Sequence, residues 1–146
     1  MKEKIQSDLK QALKEKKETI VSTLRLLLAA IHNQEIAKQK ELTKEEIIGL
    51  VQQEVKKRKE AIEAYQKGKR EDLVAKEKEE LAVLNKYLPQ QLSSEELNQL
   101  IQDKIVETGA KGITDFGQVM GKVMAEVKGR ADGQVVSQAV KEALSS

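Results

Sequence analysis

Lys128, Gly129 and Arg130 set two cations around a residue that tolerates left-handed backbone. Ahead of them Val119, Met120, Val123, Met124 and Val127 recur at helical spacing. Behind them Asp132 is a natural N-cap for a helix running into Val135 to Leu144. The pattern predicts a helix that ends with Gly129 at the left-handed C′ position, a basic corner, and a second helix with free N–H groups at its start. Such a corner can hold a phosphate, through backbone donors and charge-assisted hydrogen bonds from Lys128 and Arg130. Cations at a helix C-terminus also simply complement the macrodipole. Gly117 and Gly121 lie on the same helix, four apart, and predict a smooth strip where another backbone comes close. Tight core packing, with Met120 and Met124 as fillers, accounts for that strip as well as a binding role does.

Other candidates for chemistry are thinner. His32 is the single histidine of the chain. It has Glu35 at i+3 but no metal-ligand set or nucleophile in sequence, so it reads as a helix histidine at the core edge or the surface. Glu77, Glu79 and Glu80 alternate with lysines and read as a solvated face with ion pairs. Lys56, Lys57, Arg58 and Lys59 form the densest basic run, but on a helix they point in different directions. Glu54 stands four residues ahead of Arg58, the favourable order for an ion pair. Tyr65, Tyr87 and Phe116 are the only aromatics, too few for base stacking. The sequence contains no phosphate-binding glycine loop, dinucleotide fingerprint or nucleophile elbow, so neither a catalytic set nor a cofactor is expected.

These residues need helices to position them, and composition supplies the means. The chain has 146 residues, 34% charged and 2% aromatic, so aliphatics at helical spacing must build the core. The net charge of +2 does not by itself imply nucleic-acid binding. There is no cysteine, hence no disulfide or thiolate metal site. The longest apolar run, Leu26 to Ile31, is too short for a bilayer, and a cytoplasmic protein is expected. Ile5, Leu9, Ala12 and Leu13 predict a first amphipathic helix ending near Lys16–Glu18 without glycine. The second, from about Thr19 to Lys40, is the most apolar and is taken as the central core helix, with Val21, Leu24, Leu27, Leu28 and Ile31 inward. Thr43 and Glu46 form a capping box before the third, which carries Ile47, Val51, Val55, Ile62 and Tyr65 inward and ends at Gly68. Leu73, Leu81, Leu84 and Leu88 mark the inner side of a fourth, from about Arg70 to Tyr87. Pro89, the single proline, marks a boundary between residues 1–88 and 89–146. Ser93 and Glu96 repeat the capping box before a fifth helix with Leu97, Ile101 and Ile105, which stops at Gly109. Thr114 or Asp115 caps the sixth, and Val136, Val140 and Leu144 line the seventh. No period of two occurs, so the expected fold is all-α: a four-helix N-terminal part joined to a small three-helix tail.

The run Phe116 to Val136 resembles the tail domain shared by the B subunit of the glutamine-dependent tRNA amidotransferase and the stand-alone YqeY-like proteins, the GatB/YqeY family. The likeness rests on Gly117, Val119, Gly121, Val123, Met124, Lys128, Gly129, Arg130, Ala131 and Asp132. It departs from the amidotransferase pattern in Met120 before Gly121, and in Gly133 where that subunit usually has proline. Similarity to YqeY-like proteins extends over the whole chain through Lys56–Lys59, Gly68–Leu73 and Tyr87–Leu92. The resemblance implies a tail that contacts the body of tRNA, with the transamidation chemistry in domains not present here. It therefore implies a tRNA- or RNA-binding accessory protein whose nucleic-acid contacts are Lys128, Gly129 and Arg130, supported by Lys111 and Lys122. A protein-interaction module docking an amidotransferase- or synthetase-like partner is the alternative. Carbon–nitrogen ligase activity with glutamine as amide donor follows from the family label only, and the isolated chain is not expected to catalyse it.

Overall fold

The computed structural model describes residues 1–145, and these form seven α-helices and one 3₁₀ turn, with no strand among them. The all-α class follows from the aliphatic spacing read above. Contacts gather into two compact units, Met1–Leu88 and a second from Pro89 onward.

The first unit contains α1 (Lys2–Lys14), α2 (Glu18–Lys38), α3 (Lys44–Lys67) and α4 (Glu71–Asn85). α2 packs against each of the other three, as its apolar content predicts. Leu24, Leu27 and Ile31 of α2 meet Ile5, Ile47, Val51, Val55, Val83, Leu84 and Tyr87 in one core. The Tyr87 hydroxyl donates to Asp8 Oδ2 at 2.6 Å, tying the end of α4 to α1. Burial and then that carboxylate push the phenol up from its ordinary value. Glu35 takes Lys2 Nζ at 2.6 Å and the Leu42 N–H at 3.1 Å, and both hold its carboxyl below the usual range. Its partner is thus Lys2 rather than His32, which is exposed.

The inner faces differ from expectation in detail. Leu13 is 46% exposed, and Tyr65 is half-buried. On α4 the buried side is carried by Val74, Val83 and Leu84, with Tyr87 beyond its end, while Leu73, Leu81 and Leu88 are half-buried at the flank. That rotation brings Glu80 inside, 8% exposed, and corrects the reading of Glu77, Glu79 and Glu80 as one solvated face. Arg58 of α3 holds Glu54 Oε2 at 2.6 Å and lies 3.6 Å from Glu80 Oε2. One guanidinium thus serves two partly desolvated carboxylates. Burial, and then the Glu80 carboxylate, raise the Glu77 carboxyl above its ordinary value. Glu79 remains outside, where Thr19 Oγ1 donates to it at 3.3 Å. Both expected capping boxes form: Thr43 with Glu46 and Ser93 with Glu96. Lys38 and the Thr43 N–H together hold the Glu46 carboxyl down to about 2.

Helix ends in this unit use left-handed residues with side chains. Lys16, Gln39 and Lys69 have φ of 58°, 55° and 57°. After α1 the Lys17 N–H bonds Ala12 O and the Lys16 N–H bonds Leu13 O, the paired bonds of a Schellman ending. Gln39 and Lys69 close α2 and α3 in the same way. Gly68, expected to end α3 by its freedom, has φ of −83° and leaves the left-handed position to Lys69.

The second unit contains α5 (Ser94–Thr108), a 3₁₀ turn (Ile113–Asp115), α6 (Phe116–Val127) and α7 (Gly133–Ser145). Leu97, Ile101, Val119, Val123, Val127, Val136, Val140 and Leu144 form its core. Gly109 closes α5 at φ 68°. Asp115 stands at the start of α6 without capping it through its side chain. Its carboxylate instead accepts from the Lys111 N–H at 2.9 Å and closes the Gly109–Gly112 turn. None of the helices in the described residues is long and apolar enough to cross a membrane.

Two outcomes follow. Lys16→Gly or Gln39→Gly removes the left-handed Cβ penalty and raises stability by about 0.5–1 kcal/mol in urea unfolding, whereas Lys16→Ala gives no gain. Glu77 has a raised folded pKa, so its cost to folding is absent below the ordinary carboxylate range. The cost grows as pH rises through that folded value and persists above it. Urea midpoints measured against pH should therefore show Glu77→Gln gaining stability over wild type at neutral pH and matching it in acid.

Candidate nucleic-acid interface

The basic corner sits between α6 and α7. Sequence placed Gly129 alone in the left-handed region, but the turn begins one residue earlier, with φ of 43° at Lys128 and 84° at Gly129. The reversal is needed because Val127 must stay fully buried while Ala131, only four residues on, returns to the core. Asp132 then caps α7 as expected, its Oδ1 accepting from the Gln134 N–H at 2.7 Å.

The segment after Pro89 clasps this turn. The Leu92 N–H donates to Arg130 O at 2.8 Å, Arg130 Nε donates to Gln90 O at 2.9 Å, and the Gln91 side-chain amide donates to Gly129 O at 3.1 Å. The carbonyls of Gly129 and Arg130 are thereby occupied. Among the described residues, the donors remaining there include the Lys128 ammonium, the Arg130 terminal nitrogens and the first N–H groups of α7 other than that of Gln134. Lys128 is exposed and has no ion-pair partner among the described residues.

Arg130 differs from its neighbour. It is half-buried, its Nε is spent on Gln90, and it lines a groove of about 540 Å³ with Leu92, Glu95, Glu96, Gln99, Leu100, Asp103 and Glu126. The Ser93 N–H and hydroxyl lower the Glu96 carboxyl first, and the Arg130 charge adds to them. Arg130 therefore stands between the basic corner and an acidic groove, an arrangement the sequence did not disclose. The one signal for it was the Tyr87–Leu92 motif, whose glutamines supply the clasp.

The remaining predicted contacts are dispersed. Lys122 is exposed on α6 and lies 4.0 Å from Glu107 Oε1. Lys104, at the same place, pairs with Glu107 and Glu126 and is charged more persistently for it. Lys111 is exposed in the turn before α6. The 12 residues of α6 rise about 18 Å, so Lys111 lies at the opposite end of that helix from Lys128. The structure thus joins Lys128, Gly129 and Arg130 in one turn and leaves Lys111 and Lys122 outside it.

The Gly117–Gly121 strip corrects an expectation. Both glycines are exposed, and a Cβ added at either would meet nothing within 4 Å. No other backbone of the described chain approaches them. Val119, Val123 and Val127 face the core, Met120 is half-buried, and Met124 is 38% exposed. The core-packing account of the strip fails for the same reason.

Residues 2–144 match the family of Yqey-like proteins. No curated protein is significantly similar to the chain.

If the clasp fixes the turn, Arg130→Ala should lower the stability of the second unit by about 1 kcal/mol, the net value of a hydrogen bond. Lys128→Ala should leave it unchanged, since alanine keeps the left-handed Cβ. Thermal unfolding followed by circular dichroism compares the two.

Proposed function

The chain belongs to the YqeY-like family, and we propose that it is an RNA-binding accessory protein that meets the phosphate backbone of tRNA or another structured RNA at the corner between α6 and α7. Lys128 is the principal contact. Gly129 gives the turn its close approach, and Arg130 positions the turn through Gln90 while offering its terminal nitrogens. Lys111 and Lys122 make secondary contacts at a distance, as a phosphate backbone that runs along α6 permits. Contacts of this kind orient RNA without reading sequence, in keeping with a chain poor in stacking aromatics.

The observation that carries this reading is Lys128: an exposed cation with no ion-pair partner among the described residues, beside the N–H groups that open α7.

A second reading, docking of a protein partner related to amidotransferases or synthetases, draws on the bare glycine strip. An exposed glycine in the middle of a helix costs roughly 0.5–1 kcal/mol against alanine, and nothing among the described residues packs on Gly121, or on Gly117 in the first turn of α6. A partner backbone seated there would. Gly117→Ala/Gly121→Ala separates the readings, since it stabilises α6 and leaves RNA affinity intact under the first but blocks docking under the second.

The test is affinity for total tRNA measured over a range of salt. The slope of log K against log salt should fall by about 0.7–0.9 in Lys128→Ala, the loss of one phosphate contact. Absence of binding by wild type at low salt refutes the proposal for this chain.

A further inference from the structure

The seam between α3 and α4 holds a charge cluster that the basic corner does not use. Arg58 comes from the Lys56–Lys59 run of α3, and its side chain is 11% exposed. Its Nη1 donates to Glu54 Oε2 at 2.6 Å, one turn back on the same helix. Its Nε reaches towards α4, where Glu80 Oε2 lies 3.6 Å away. That separation makes an ion pair but is too long for a hydrogen bond, which needs about 2.7–3.2 Å. Nε is buried and has no hydrogen-bond partner among the described residues. A buried donor and a buried carboxylate thus stand side by side without joining, although both are costly to leave unsatisfied. Another donor for Glu80 is at hand. Glu77 is half-buried three residues earlier on α4, and its acid form donates to the Glu80 carboxylate.

We infer that Glu80 exchanges hydrogen-bond donors with pH: the Glu77 acid serves it at lower pH, and Arg58 Nε takes over once Glu77 has lost its proton to solvent. An ionised Glu77 has no donor to offer and repels Glu80. Nε then closes on the Glu80 carboxylate by a shift of under about 1 Å. Nη1 stays on Glu54, because Nε and Nη1 point from different edges of the planar guanidinium. Loss of one proton therefore adds a hydrogen bond across the α3–α4 seam, and acid removes it. The new bond offsets part of the cost of ionising Glu77 without abolishing it. The other charges around the cluster are Lys76 on α4, which favours ionised Glu77, and Lys57 on α3, 3.4 Å from Glu54. α2 also packs on α4 but makes no ion pair with it among the described residues. Its Thr19 hydroxyl meets Glu79, outside the seam. The inference is independent of RNA binding, since none of these residues belongs to the basic corner.

The arginine Nε–Hε resonances of the full chain, followed through a pH titration, provide the test. The carboxyl carbon shift of Glu77 records its own titration alongside. In wild type the Arg58 Hε signal should move downfield, and gain protection from exchange relative to the exposed Arg25, as Glu77 ionises. Glu77→Gln keeps a permanent donor for Glu80, so its Arg58 signal should hold the acid-form position throughout. Glu77→Ala removes that donor, so Arg58 should show the bonded position at a pH where wild type still shows the acid form. A wild-type Arg58 signal that ignores the Glu77 titration overturns the inference. So does a Glu77→Gln signal that moves as wild type does, since another group would then drive it.

Discussion

Three hydrogen bonds between the segment after Pro89 and the turn at Lys128–Arg130 set the form of the second unit. The turn contains two consecutive left-handed residues, and one of them is a lysine. Left to itself, such backbone relaxes. Here the Leu92 amide, the Gln91 side chain and the Gln90 carbonyl engage both sides of the turn, donating to its carbonyls and accepting from Arg130. The turn in turn aims α7 back over α6, so Val136 and Val140 reach the core fully buried. One local constraint therefore determines both the hydrophobic closure of the unit and the direction in which Lys128 points.

The same constraint sorts the two cations. Arg130 looks like half of a phosphate clamp in sequence, yet its guanidinium joins a chain segment and faces carboxylates of the acidic groove. Arginine suits that work because its planar donors can serve several acceptors at once. Lys128, a compact charge on a flexible stem, is left to the solvent. In the first unit the arginine of the Lys56–Lys59 run is likewise turned inward, to Glu54 and Glu80, while Lys57 and Lys59 remain outside. Each unit thus turns one arginine, Arg58 or Arg130, to internal partners, while Arg25 and Arg70 stay exposed.

Much of the fold was legible because aliphatic spacing and capping chemistry are local. Thr43 with Glu46, Ser93 with Glu96 and Asp132 with the Gln134 amide all act within a few residues, and each appears as expected. What the sequence concealed depends on rotation or on distant chain. Whether Glu80 faces in or out turns on a fraction of a helical turn in α4. Asp115 had two local acceptor roles open to it and took the one that closes the Lys111 turn. The glycine strip was expected to be covered, but small residues at i and i+4 do not say whether anything lies above them. For the candidate site, the basic turn was visible from residue types alone. The Gln90 and Gln91 bonds that hold it span some forty positions, beyond any pattern of spacing.

The central claim is that Lys128 and the opening amides of α7 form one phosphate-binding surface, and backbone amide resonances followed during titration with tRNA test it most directly. The account predicts that the largest changes fall on Lys128, Gly129, Gly133 and Val135, that added inorganic phosphate moves the same signals in the same direction, and that the exposed Leu26 and Ile36 of α2 stay silent. Changes spread evenly over lysine-bearing surfaces, or confined to α6 around Gly117 and Gly121, would contradict it.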